Sequence, residues 1–365
     1  MATAPHGQDS GGKRQEKGHA ETGSGVQHLT VSQAEAGQKL LQFLQRRLGK
    51  EVPQGFLMRI IRKGEVRLNK GRMKPYDRVA EGDIVRVPPV RDVKPSQVAS
   101  EPVGASLCTS SACGMVVARS EGLLVLNKPA GLPVQPGTGH KDCITARLNH
   151  CFANADFTPA PAHRLDKNTS GLLLVGTTYA RLRQLQDLFR DGHAISKEYC
   201  AWVEGDWPYD DTQHLHDELV KDASAGEAGQ EKVRALTADD GTLYGQKTKK
   251  AESRSSSATG GSDTGQPAKV RDAHCAVTPL LRRDGYTLMH IALFTGRTHQ
   301  IRVQLSSRGY PVVGDGKYGG APCSEGMLLH AFRITLPEDS FAGESFSCLP
   351  AWKGRWAVEE RDLPE

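Results

Sequence analysis

Apolar residues recur at helical spacing in only a few parts of this chain. Leu40, Leu41, Phe43, Leu44 and Leu48 form one stripe with Arg46 and Arg47 outside it, which predicts a helix from about Ala36. A second short helix is expected after the Val52-Pro53 break. It turns Phe56, Leu57, Ile60 and Ile61 inward and Arg59, Arg62 and Lys63 outward, and Gly64 stops it. Short strands follow at Glu65 to Asn69 and Ile84 to Val87, with a turn at Glu81-Gly82-Asp83 between them. Two helices and a small sheet make a compact α/β module over residues 26–90, closed by Pro88-Pro89.

The pattern changes at Met115. Strand-like runs recur at Leu123 to Leu126, Leu172 to Val175, Ala201 to Val203, Leu288 to Leu293 and Leu328 to Leu336. The single long helical stripe is Tyr179 to Arg190, with Leu182, Leu185, Leu188 and Phe189 on one side. Many strands and few helices predict an α+β domain over residues 115–365, a mixed and mainly antiparallel sheet flanked by helices and loops. Three stretches carry no periodicity: a polar tail at 1–25, a linker at 91–114 rich in Pro, Ser, Ala and Val, and the low-complexity region Lys221 to Asp272. The tail is expected to be disordered, and Glu252 to Ala268, the densest part of a low-complexity insertion at about 245–272, to form a flexible surface loop between strands.

Composition supports this division. The 365 residues suffice for two or three domains, and a hydrophobic share of 38% with 39 Gly and 20 Pro describes a core diluted by stretches outside it. The net charge of +5 hides an asymmetry. Between Lys39 and Arg91 stand 14 Lys/Arg against 5 Asp/Glu, while the remainder is slightly acidic. Such a patch is the footprint of a nucleic-acid contact, although a solvated face reads the same way. No apolar run approaches the ~20 residues of a membrane span. Residues 1–25 lack a secretory apolar core and contain Asp9, Glu16 and Glu21, against an acid-poor transit peptide. The eight cysteines lie singly, and Cys108 and Cys113 have no partnering pair to complete a zinc set. A reducing, cytoplasmic setting without metal is the expectation.

Four stretches carry chemistry. The first is His163-Arg164-Leu165-Asp166-Lys167-Asn168-Thr169-Ser170-Gly171, running into the apolar run Leu172 to Val175. Asp, Asn, Gly and Ser build turns by themselves, but a turn does not require His, Arg, Asp and Lys within five positions. The second is Thr295 to Leu305, TGRTHQIRVQL, read as a strand in which Gln300 and Arg302 share one face and Ile301 and Val303 the other. An inward Arg302 requires a carboxylate partner, for which Asp166 is a candidate. Third is KEYCAWV, where Tyr199 offers either an aromatic face to a base or an ordinary core side chain. Fourth is LNKPAGLPV, a strand ending in a Pro/Gly turn with Asn127 and an exposed Lys128. Phosphate-loop and hydrolase-elbow patterns are absent, and nothing in the spacing supports a Ser170–His163–Asp166 triad.

Together these stretches resemble the RluA family of RNA pseudouridine synthases, from about Leu123 to Leu336 apart from the Lys221–Asp272 region. HRLDKNTSGLLL and GRTHQIRV are highly specific, and they occur in order with NKPAGLPV, KEYCAWVEG, GYPVVGDGKYG and LLHAFRI. The basic module is similar to an S4 RNA-binding domain, and its AGQKLLQFL and MRIIRKGEVRLNKGRMKP segments look most like RluC-type enzymes acting on large-subunit ribosomal RNA.

The resemblance implies an isomerase that breaks the N1–C1′ bond of uridine, rotates the base and rejoins it through C5, with no cofactor. It implies Asp166 as the essential carboxylate, attacking ribose or base or abstracting a proton. Arg302 would be its partner and Tyr199 would pack against the target base. Arg164 would fill the space left when uridine flips out. His163, Asn127, Lys128 and Gln300 are expected to contact substrate, and Arg59, Arg62, Lys63 and Arg67 to dock RNA. A monomer acting on ribosomal RNA is expected; the same motifs would serve an enzyme for transfer RNA, or a non-catalytic assembly factor had Asp166, Tyr199 or Arg302 been missing. Two positions depart from the family pattern, Gln304 where His is usual and Tyr310 within the usual Gly-His-Pro.

Overall fold

The computed structural model describes residues 25–49, 52–90, 113–136, 142–191, 195–222, 232–236 and 270–364. The tail at 1–25, the linker at 91–114 and the insertion at 245–272 lie outside the described residues, except for Gly25, Cys113-Gly114 and Val270 to Asp272. The chain divides into two compact units, Met1–Pro102 and Val103–Glu365.

The first unit contains β1 (Gln27–Thr30), α1 (Leu40–Leu48), α2 (Gln54–Lys63), β2 (Arg67–Leu68) and β3 (Ile84–Val87). The strands pair in the order β1-β3-β2, all antiparallel. Leu40, Phe43 and Leu44 of α1 and Leu57, Ile60 and Ile61 of α2 bury against Val85 and Val87 of β3. Helix α2 ends at Gly64, whose left-handed backbone (φ +72°) returns its N–H to the carbonyls of Ile60 and Ile61. Strand β1 was not visible in the sequence because QHLT has one strong apolar residue and acquires its pairing from β3.

The second unit contains β4 (Val116–Ser120), β5 (Leu123–Lys128), α3 (Ile144–Cys151), β6 (Ala160–Pro161), β7 (Ser170–Gly176), α4 (Tyr179–Asp191), β8 (Ser196–Glu204), β9 (Gln213–Asp222), β10 (Lys232–Leu236), β11 (Arg271–Arg283), β12 (Tyr286–Leu293), α5 (Gln300–Ser306), β13 (Leu329–Thr335), α6 (Glu338–Phe341) and β14 (Ser345–Ser347). Among the described residues these strands form one sheet in the order β10-β9-β11-β12-β8-β13-β7-β5-β4, with β14 beside β13 and β6 beside β7. Among the described strands of this sheet only β13 and β7 run parallel. The fold is α+β with a mixed, mainly antiparallel sheet, the class expected from the sequence.

The apolar run of β7 is buried on both faces, which explains its lack of alternation. Gly171 (φ +112°) makes the β7–β13 pairing possible, because a Cβ there would collide with the backbone of Ala331. This close approach anchors the end of the His163–Ser170 loop at the middle of the sheet.

Two readings of the sequence are corrected. The segment around Gln300–Ser306 is a helix, not an edge strand. The insertion expected at about 245–272 is bounded too late, because Arg271 and Asp272 open β11; within the low-complexity region Lys221–Asp272, β9 extends to Asp222 and Lys232–Leu236 pairs with it as β10.

Candidate active site

The loop between β6 and β7 carries Asp166, and the N–H of Thr169 donates to the Asp166 carbonyl at 3.2 Å to close its turn. Helix α5 approaches from the other side. Nη1 of Arg302 lies 3.1 Å from Asp166 Oδ2, while its Nε and Nη2 grip both oxygens of Asp315 at 2.6 and 2.7 Å. Burial works against the Arg302 charge, but the Asp315 and Asp166 carboxylates more than offset it and hold the guanidinium proton above its ordinary range. The Tyr318 ring lies under the guanidinium, 4.9 Å from its centre.

His299 immediately precedes α5 in a left-handed conformation (φ +56°), a strained backbone for a side chain of this size. Its Nδ1 bonds the Tyr318 hydroxyl at 2.7 Å and its Nε2 stands 3.8 Å from Asp166 Oδ2. Burial lowers its pKa, partly opposed by the Asp166 charge. Tyr199 of β8 is nearly buried, and burial and the Asp166 charge both raise its phenol pKa. An open cavity of about 130 Å³ is lined by Asp166, Tyr199, Arg302, His299, Leu293 and the exposed Arg164, among others. It presents a carboxylate beside an arginine held by a second carboxylate, and an aromatic ring and apolar side chains also line it.

The remaining candidates occupy other places. Lys128 is fully buried, not exposed. Its Nζ donates to the carbonyls of Pro129 and Leu132 at 2.9 Å and of Lys167 at 3.1 Å, so it ties the NKPAGL turn to the residue after Asp166. Burial pulls its pKa down to about 8 against the opposing attraction of Asp166. Asn127 pairs with Leu172 across the β5–β7 ladder and is not among the residues lining the cavity. His163 does not line the cavity either. Its ring stacks on Phe189 at 4.2 Å and its Nε2 accepts the Leu174 N–H at 3.0 Å. Burial, reinforced by the Lys197 charge, pushes it down to about 3, as suits a neutral acceptor. Gln300 reaches the cavity wall, but its amide braces the preceding loop, accepting from Thr295 Oγ1 and Arg297 N and donating to His274 O. Ser170 bonds His330 Nδ1 at 2.9 Å instead of His163, so the triad pattern has no geometry here.

In the first unit, Arg59, Arg62 and Lys63 are exposed along α2, with Arg59 over the Phe56 ring. Arg67 is half-buried on β2 opposite Arg86.

Residues 122–307 match the profile of the family described as RNA pseudouridylate synthase. The ribosomal large subunit pseudouridine synthase C of Pasteurella multocida is 34% identical over 322 residues, 85% of each chain. That of Yersinia pestis is 35% identical over 295 residues, 80% of each chain. The chain belongs to the RNA pseudouridylate synthase family. A solved human RNA pseudouridylate synthase domain containing 4 superposes on 66% of this chain and 91% of its own with a TM-score of 0.48 at 23% identity.

In this pseudouridylate synthase, Asp315, His299 and Tyr318 join the site although the sequence reading assigned them no role. Asp315 stood within the quoted GDGKYG block. An acid enclosed by glycines beside an apolar run had to find a cation once buried, and Arg302 is that cation. The two departures lie elsewhere. Gln304 donates to Leu215 O at 3.1 Å and Asp217 Oδ2 at 2.7 Å, joining α5 to β9, and Tyr310 packs edge-on against Trp207.

Proposed function

We propose that this enzyme isomerises uridine in large-subunit ribosomal RNA in the cytoplasm, with Asp166 as its catalytic carboxylate. The observation that carries the assignment of Asp166 is its position on the cavity wall, held by an Arg302 that is itself fixed by Asp315. In the reaction the N1–C1′ bond breaks, the uracil turns, and C1′ bonds to C5. C5 loses a proton and N1 gains one, so composition and oxidation state are unchanged.

Flipping the nucleotide out of its stack costs a few kcal/mol. Exposed Arg164 at the cavity is suited to occupy the vacated place, and the Tyr199 ring to lie against the extruded base. The Arg302 cation keeps Asp166 oriented toward the ribose–base junction. The names of the relatives and the exposed basic face of α2 support a ribosomal substrate. Among the described residues no helix is long and apolar enough to cross a membrane.

A pseudouridine map of total RNA from a deletion strain, complemented with wild type or Asp166→Asn, tests the substrate. Loss of particular large-subunit positions, restored only by wild type, is expected. Loss confined to transfer RNA would overturn the ribosomal assignment.

A further inference from the structure

We propose that His214, His216 and His274 form a binding site for one divalent transition-metal ion, zinc foremost, on the face of the sheet turned away from the catalytic cavity. His214 and His216 are two apart on β9 and therefore share a face. His274 of β11 stands directly opposite His216 in the ladder. One ligating nitrogen from each ring falls within 4.8 Å of the others, and His214 Nδ1 and His274 Nε2 are 3.1 Å apart. Metal–nitrogen bonds of about 2.0–2.1 Å in a tetrahedron place ligand nitrogens roughly 3.3 Å apart, a spacing the three rings reach once the stacked His216 and His274 rings turn apart to aim their nitrogens at one ion.

The donor chemistry selects the ion. Three imidazoles suit zinc, copper or nickel over magnesium or calcium, which take oxygen ligands. His214 and His216 are exposed, leaving the fourth position to water. The next cross-strand pair on the same face is Glu218 and Asp272, both exposed, which brings negative charge toward a bound cation. Between the histidines, Leu215 and Cys275 point into the core that contains the cavity residues Leu165, Tyr199, Leu293 and Ile301. An ion at the histidines would consequently lie across the sheet from the flipped base.

The site is already braced. The His274 carbonyl accepts from Phe294 N, Thr295 N and Gln300 Nε2, and the His274 N–H donates to Thr295 Oγ1 at 2.8 Å. These bonds root the segment that supplies Arg297, Thr298 and His299 to the cavity wall. A metal joining β9 to β11 would stiffen that root without touching substrate. Without metal, the same rings would constitute only a hydrogen-bonded, stacked aromatic row beside Phe294.

The test uses full-length, chelator-stripped protein titrated with Co²⁺ and then Zn²⁺. One equivalent of Co²⁺ is expected, giving the visible d–d bands of a four-coordinate nitrogen/oxygen site without the intense thiolate charge-transfer band of cysteine ligation, and Zn²⁺ should displace it. His216→Gln and His274→Gln should each weaken binding by more than about tenfold, the smaller loss typical of an outer-shell partner. Zinc should raise the melting temperature of the wild type but not of these variants. His214→Gln, at an exposed position, repeats the test if His274→Gln fails to fold. A thiolate spectrum, unchanged affinity in His216→Gln, or no binding at millimolar metal would each overturn the site.

Discussion

Asp315 grips the guanidinium of Arg302 through two bonds of 2.6 and 2.7 Å, leaving Nη1 of that side chain to meet Asp166. The carboxylate proposed as catalytic thus meets a cation whose other two donors are held by Asp315. Bidentate geometry of this kind is specific to arginine.

Asp315→Asn should therefore lower kcat by about 10–100-fold, on the scale of losing a residue that orients a catalytic group, with RNA affinity retained. Asp315→Ala should also cost about 3 kcal/mol or more of stability, since it strips a buried cation of its main partner. Single-turnover kinetics and denaturant melts measure the two effects. Wild-type turnover in Asp315→Asn would show that Asp166 needs no such anchor.

Lys128 gives a pH signature. Its folded pKa of about 8 lies below the ordinary 10.5, so between these values the unfolded chain binds the extra proton. This group's contribution therefore rises with pH through that window and is least favourable below pH 8. Buried Cys200, Cys275 and Tyr199, whose pKa values are raised, act in the opposite direction at high pH. Comparison with Lys128→Met isolates the lysine. Wild type should gain stability relative to the variant from pH 8 to pH 10 in denaturant melts; parallel curves would contradict the buried placement.

Tyr199 is assigned an aromatic role, so Tyr199→Phe should bind substrate nearly as wild type does. Tyr199→Ala should weaken binding by the equivalent of about 1–3 kcal/mol, the usual range for base–aromatic stacking. Fluorescence titration with a substrate stem-loop distinguishes them. Equal binding by both variants would place Tyr199 in the core alone.

The exposed row Arg59, Arg62 and Lys63 predicts an electrostatic contact. Replacing all three with Gln should reduce the slope of log affinity against log salt by about 2–3, close to one per lost phosphate contact. An unchanged slope would make this row a solvated face.

The loop that carries Asp166 was legible because His163 to Gly171 concentrates groups that a turn does not need, beside an apolar run that could only be an interior strand. Helix α5 was misread for a physical reason. Gln300, Arg302 and Gln304 alternate with Ile301, Val303 and Leu305, the period of a strand, yet all six are buried, and the polar three are accommodated by separate partners around the helix. Lys128 looked exposed because the carbonyls that receive it come from a turn and from Lys167, 39 residues away. The His214–His216–His274 cluster joins two strands whose pairing no local pattern announces.

The most direct measurement is pseudouridine formation by Asp166→Asn on substrate RNA under single-turnover conditions. The assignment predicts a loss of about 10⁴-fold or more, with RNA affinity nearly intact and Arg302 still held by Asp315. Turnover close to wild type would contradict Asp166 as the catalytic carboxylate.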